Sequence, residues 1–229
     1  MASVFALSLS LGVSGNASAY SDSIQQSAPA DASSSLLPQE LVAELSETWT
    51  QHEVSASNQV ALLEKLEAGV PLDAQTGIDP VSVNLVEGSD GPIEVRRFAD
   101  GSVNVLSLQS PAVSSGEGSP RSVTGCTQSG LRYNNCLVAG WFTGVQLSFR
   151  ATYVLGTSAA QIISYDTEQV QCSAGLECTT PEFTSVRLQQ SGSTPATVVL
   201  STQYTLVVIG GTGTTNLVLT VQDQSAASN

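Results

Sequence analysis

The sequence predicts a mainly β protein: an antiparallel β-sandwich or partly open barrel preceded by a short N-terminal helical hairpin. Three observations predict it. Charged residues make up 12% and aromatic residues 5% of the 229-residue chain, while Ser, Thr, Gly, Val and Gln recur, the usage of extracellular all-β proteins. Beyond Pro80, short apolar runs of period two are punctuated by Gly and Asp. The four cysteines, Cys126, Cys136, Cys172 and Cys178, lie in the second half at short separations, an even number that suggests disulfides.

Residues 1–19 read as a signal peptide. Val4 to Val13 is an apolar run, and Ala17-Ser18-Ala19 offers the small side chains of a processing site, leaving Tyr20 first in the mature chain. No basic residue precedes the run, as expected if the natural start codon lies further upstream. Residues 20–36, rich in Ser, Ala, Gln and Asp, bury too little to offset the entropy of ordering and read as a flexible linker.

A helical hairpin is expected over residues 37–79. Pro38 suits a first helical turn, and Leu41, Val42, Leu45 and Trp49 recur at helical spacing. The second helix is expected to start at Ser57 as N-cap and to place Val60, Leu63 and Leu66 on one face, ending at Gly69 and Pro71. Residues 80–110 then read as a β-meander. Val81 to Val86 and Ile93 to Phe98 alternate around Gly88-Ser89-Asp90-Gly91, and Asp100-Gly101 turns the chain into Ser102 to Leu108.

A Ser- and Gly-bearing linker, Pro111 to Pro120, leads into a disulfide-stapled sandwich domain over residues 120–224. Strands are expected over 131–139, 145–155, 161–164, 184–189, 197–209 and 216–222, with Ser225 to Asn229 as a tail. In the second of them Val145, Leu147, Phe149, Ala151 and Tyr153 share one parity, and Gln146, Ser148, Arg150 and Thr152 the other: one face buried, one wet. Three disulfide connectivities are open; the neighbour pairs Cys126–Cys136 and Cys172–Cys178, each stapling a hairpin or loop, are expected over a four-thiolate zinc site, whose paired two-residue spacings are missing.

The net charge of −13 is unevenly placed: 15 acidic residues against Lys65, Arg96 and Arg97 before Pro120, then five against four arginines. Neither part clusters the Lys and Arg that phosphates require, which argues against a nucleic-acid partner. No run beyond the leader nears the ~18 apolar residues of a membrane span.

Candidate chemistry is sparse. His52, the only histidine, would have to serve any Ser-His-Asp or Cys-His arrangement, but it lies in the acidic helical segment and reads as an exposed helical histidine. Among Asp166, Glu168, Glu177, Glu182 and Asp223, the pair Asp166 and Glu168 would face the same way on a strand, as glycoside hydrolysis by two carboxylates requires, although a solvated turn or edge is the simpler reading. Asp73, Asp79, Glu87 and Asp90 lack the loop pattern of a calcium site. Gly210-Gly211-Thr212-Gly213-Thr214 resembles a phosphate loop without its lysine and reads as a hairpin turn. Trp141-Phe142, expected in a loop after Gly140, is the candidate ligand-binding pair; the competing reading has both rings covering one end of the core. Nothing implies a cofactor or a metal.

Several patches resemble a known group. Leu62 to Asp73, Asp79-Pro80-Val81, Arg97 to Val103, Gly125-Cys126, Asn135 to Val138 and Leu147 to Ala151 together are similar to uncharacterised secreted proteins of Gram-positive bacteria with an N-terminal helical segment and a C-terminal disulfide-containing β domain. The resemblance covers about two thirds of the chain in short stretches; it implies export and a β-rich disulfide domain and brings no catalytic residues. The expected function is a secreted, non-catalytic module that binds a cell-surface polymer such as cell-wall polymer, or an extracellular protein. The alternative is a secreted hydrolase acting on glycans through Asp166 and Glu168.

Overall fold

The structure, a computed structural model, describes residues 36–111 and 125–229; the expected signal peptide and nearly all of both linkers lie outside them. In chain order the elements are α1 (Gln39–Gln51), α2 (Ala56–Glu67), β1 (Ser82–Gly88), β2 (Gly91–Arg97), β3 (Val103–Leu108), β4 (Thr127–Ser129), β5 (Arg132–Phe142) and β6 (Val145–Val154). There follow β7 (Gln161–Cys172), β8 (Leu176–Cys178), β9 (Glu182–Arg187), β10 (Ala196–Leu206), β11 (Gly211–Gln222) and β12 (Ser225–Ser228).

Among the described residues the strands form two antiparallel sheets that stay open rather than closing into a barrel. The larger runs β1-β2-β3-β5-β6-β7, with β4 on β5; the smaller runs β12-β11-β10-β8, with β9 also on β10. Because β3 pairs with β5, the meander and the cysteine-bearing strands share one continuous sheet.

Period-two alternation decides which side chains meet between the sheets. Val145, Leu147, Phe149, Ala151 and Tyr153 of β6 and Ala196, Val198 and Leu200 of β10 are all buried in one cluster with Leu217, Leu219 and Val221 of β11. Both expected cysteine pairs form. Cys126–Cys136 staples the short β4–β5 hairpin, and Cys172–Cys178 links β7 of the large sheet to β8 of the small one.

The helical hairpin covers one end of the sandwich. Leu41, Leu45 and Trp49 of α1 and Leu62 and Leu66 of α2 are buried with Val95, Val103, Trp141 and Leu206 from the strands. The approach is close: a Cβ at Gly175, ahead of β8, would lie 2.5 Å from Pro38 Cγ, and one at Gly144, between β5 and β6, 3.4 Å from Leu41 Cδ1. The Ser173 hydroxyl donates to Glu44 Oε1 at 2.7 Å, tying α1 to the turn between β7 and β8.

Several expectations are corrected. The N-cap of α2 is Ser55, whose hydroxyl accepts from the Asn58 N–H, and its buried face is Leu62 and Leu66; Val60 is 56% exposed. Leu62 and Leu66, an i, i+4 pair, lie close together on the core side, and Val60, two residues before Leu62, falls on the opposite side of the helix. Strand β7 continues to Cys172 instead of ending at Ser164, because β6 offers it a full-length partner. Residues 225–228 are a strand on β11 rather than a tail. The short strands β4 and β8, each 3 residues long, were not expected: neither has a periodicity to read.

Candidate functional site

The outward face of the large sheet carries a site that follows from register. Val105, Trp141, Gln146 and Gln171 are successive cross-strand partners on β3, β5, β6 and β7 and so form one row. Ser107, Ala139, Ser148 and Gln169 form the next. Cross-strand neighbours project to the same side of the pleat. Since Phe142, Leu147 and Val138 occupy the opposite parity and fill the core, these rows must face away from it.

The rows floor an open trough of about 950 Å³. Ala139 and Ser148 are small, which gives the trough depth between the bulkier Trp141, Leu137 and Gln169. Thr179 and Pro181, just past the Cys172–Cys178 staple, border it at the β7 edge. Glu168 is the one charged side chain among its lining residues. The side chains of Gln146, Ser148, Gln169 and Gln171 make no hydrogen bond among the described residues, so their amide and hydroxyl groups face solvent unspent.

Trp141 and Phe142 are the last two residues of β5, not loop residues. Opposite parity separates them: Phe142, 7% exposed, enters the sandwich core, while Trp141, 8% exposed, joins the helix-facing cluster and reaches the trough with its remaining edge. Neither ring stands open on the surface as a platform. Three glutamines and a serine on β6 and β7 were not singled out from sequence; the wet parity of β6 was the signal, and only the pairing with β7 completes it.

The carboxylate pair sits at an irregularity in β7. Ser148 pairs with Gln169 and Arg150 with Asp166, so β7 has two residues, Thr167 and Glu168, where β6 has one. At this bulge Thr167 takes φ 59°; Asp166 stands opposite outward-facing Arg150, and Glu168 is among the residues that line the trough on the same side. Both carboxylates are exposed, and Asp166 accepts from the Thr167 hydroxyl at 2.7 Å. Glu177 and Glu182 are exposed on β8 and β9. Asp223 organises a turn: Gln190 Nε2 and the Ser158 N–H donate to its Oδ1, and these bonds hold its carboxyl below the usual range.

His52 is the C-cap of α1, its pKa lowered by partial burial and then by the charge of Arg97. Asp73 joins Lys65, Asp100 and Ser102 in a network that fastens α2 to the turn between β2 and β3. Asp79, Glu87 and Asp90 lie apart from that network, and among the described residues no group of His, Cys, Asp and Glu is placed to hold a metal ion. The expected glycine turn is shorter than read: it closes at Gly210, and Gly211 to Thr214 belong to β11, with Gly213 opposite Tyr204. Among the described residues no helix is long and apolar enough to cross a membrane.

No protein-family model, curated protein or solved structure matches the chain.

Proposed function

We propose that the protein is an exported, non-catalytic binding module that holds a cell-surface polymer in the trough on the outer face of its large sheet. One observation carries this reading: the solvent-facing rows from β3 to β7 bring hydrogen-bonding side chains without internal partners together in an open groove. Open grooves with convergent polar groups suit an extended chain that enters and leaves at both ends.

Export is supported by the apolar N-terminal run with its Ala17-Ser18-Ala19 ending and by two disulfides, which persist in oxidising compartments. Against hydrolysis stands the exposure of Asp166 and Glu168 on the edge strand β7, since carboxylate catalysis depends on a fixed separation across the substrate.

The test is co-sedimentation of the full chain with isolated Gram-positive cell walls. Ser148→Tyr fills the trough floor from a solvent-facing position and should abolish sedimentation with the melting temperature unchanged. Sedimentation by that variant at the wild-type level would remove the trough from the function.

A further inference from the structure

Resting on the binding reading above, we infer that the trough takes an uncharged polysaccharide. Its charge and its hydrogen-bonding groups point to that class. Its lining residues include no Lys or Arg, and Arg150, one row beyond Ser148, stands opposite Asp166 and donates to the Asn135 carbonyl, so a polyanion such as a phosphate-linked polymer meets no surplus of positive charge and the carboxylate of Glu168. A polycation would need a cluster of carboxylates, and Glu168 stands alone there.

What the trough does offer is amides and hydroxyls. Gln146, Gln169 and Gln171 each present a donor and an acceptor, and Ser148 and Thr179 a hydroxyl that acts as either. Sugar hydroxyls have the same dual character, so each can be met without fixing a charge. The apolar surface of Leu137, Ala139 and the edge of Trp141 provides the complement to the C–H faces of a pyranose. Four neighbouring strands span ~14 Å between the first and last, the length of a short oligosaccharide segment.

An extended peptide is the competing occupant and is disfavoured. It would bind by adding a strand to an open edge, with its backbone satisfied by backbone. The free groups here are side chains on a sheet face instead, where β3, β5 and β6 are already paired on both sides and only β7 ends the sheet.

Neutral hydrogen bonds exchanged against water are individually weak, so affinity for one segment is low and grows with chain length through repeated engagement.

Affinity electrophoresis of the full chain through gels containing dextran, soluble β-glucan, xylan or glycol chitin tests the inference, with polyglutamate and a teichoic acid as charged controls. The expected result is retardation by at least one uncharged polysaccharide and by neither polyanion. The double variant Gln146→Ala/Gln171→Ala should lose that retardation at least tenfold while melting as the wild type does. Retardation by a polyanion alone, or retardation unchanged in the double variant, overturns the inference. If whole cell walls still sediment the protein through the trough but no uncharged polysaccharide retards it, the ligand class is wrong and the binding reading stands. If neither interaction occurs, both fall.

Discussion

Lys65 Nζ lies 2.9 Å from Asp100 Oδ2, joining the second helix to the turn between β2 and β3 across 35 residues of chain. The carboxylate is shared out fully: the Asp73 N–H donates to Oδ2, and the N–H and hydroxyl of Ser102 donate to Oδ1. In return the Asp100 N–H donates to Asp73 Oδ2. Gly101, at φ 89°, completes the turn, and a Cβ there would meet Asn58 of α2 at 2.7 Å. The helical hairpin is thus fastened by a polar clasp at the same edge where its apolar face packs.

Asp100 makes that clasp sensitive to acid. Burial pulls its pKa up, but the hydrogen bonds from Asp73, Ser102 and Lys65 outweigh it and hold the value at about 2, below the ordinary 3.8. Folding therefore favours the ionised form. The stabilisation, on the order of 2 kcal/mol, is complete above pH ~4 and disappears as pH falls through ~2. Urea unfolding at pH 6, 3 and 2 should show this loss in the wild type and a smaller one in Asp100→Asn, which starts less stable by ~1–3 kcal/mol. Equal acid sensitivity in both proteins would place the titration elsewhere.

The buried face of α2 gives a paired test. Leu62 is fully buried and its truncation to Ala should cost ~2–5 kcal/mol, whereas Val60→Ala should stay within ~0.5 kcal/mol. Thermal melts of the two variants distinguish this face from the Val60, Leu63 and Leu66 face that spacing alone suggests; a large loss at Val60 would reverse the assignment.

Deleting residues 36–79 should expose Val95, Val103, Trp141 and Leu206, which the hairpin covers. The shortened chain is expected to bind a hydrophobic dye and to melt well below the full protein. A melting point unchanged by the deletion would show that the hairpin contributes nothing to the sandwich.

Gly213 is needed for packing rather than for a loop. It lies opposite Tyr204 on β10, and an added Cβ would collide with that ring, while at Gly211 the nearest neighbour is Ile209 Cδ1 at 3.8 Å. Gly213→Ala should therefore destabilise by ~1–3 kcal/mol and Gly211→Ala far less. Burial has already raised the Tyr204 pKa to about 12, so the ring stays neutral in both variants at neutral pH. Denaturant titrations with equal midpoints would argue that Tyr204 simply moves aside.

The cross-sheet staple Cys172–Cys178 closes a short loop, so replacing both cysteines by Ser should cost ~2 kcal/mol. Because Thr179 and Pro181 border the trough immediately after it, the same variant should also weaken cell-wall sedimentation. Stability lost with binding intact would separate the trough from its border.

Much of the architecture was legible because it is local. Alternation over Val145 to Leu155 sets one buried and one wet face wherever the strand is placed, and Asp100-Gly101 turns the chain whatever follows. Leu41, Leu45 and Trp49 declare a helix face by spacing alone. The neighbouring cysteine pairs were readable for the same reason, since short separations favour pairs that close small loops.

The trough was half legible. Gln146 and Ser148 could be placed on the wet side of β6, but what stands beside them is a matter of pairing. Nothing near Gln169 or Gln171 in the chain announces that the bulge at Thr167 will bring them level with Ser148 and Gln146. The same bulge falls between Asp166 and Gln169, which both have partners on the wet side of β6. A one-residue slip reverses every side chain beyond it, so strand sequence without register leaves a face undefined.

The helices, the longer alternating strands, the cysteine pairing and the charge imbalance thus come from interactions within a few residues or from composition, and those act in any fold. The continuity of the meander with the cysteine-bearing strands, the seat of the hairpin on the sandwich end and the membership of the trough are tertiary. They depend on which strands find each other across the chain, where β3 meets β5 and β6 meets β7, and on a helix face whose partner lies in turns far away in sequence.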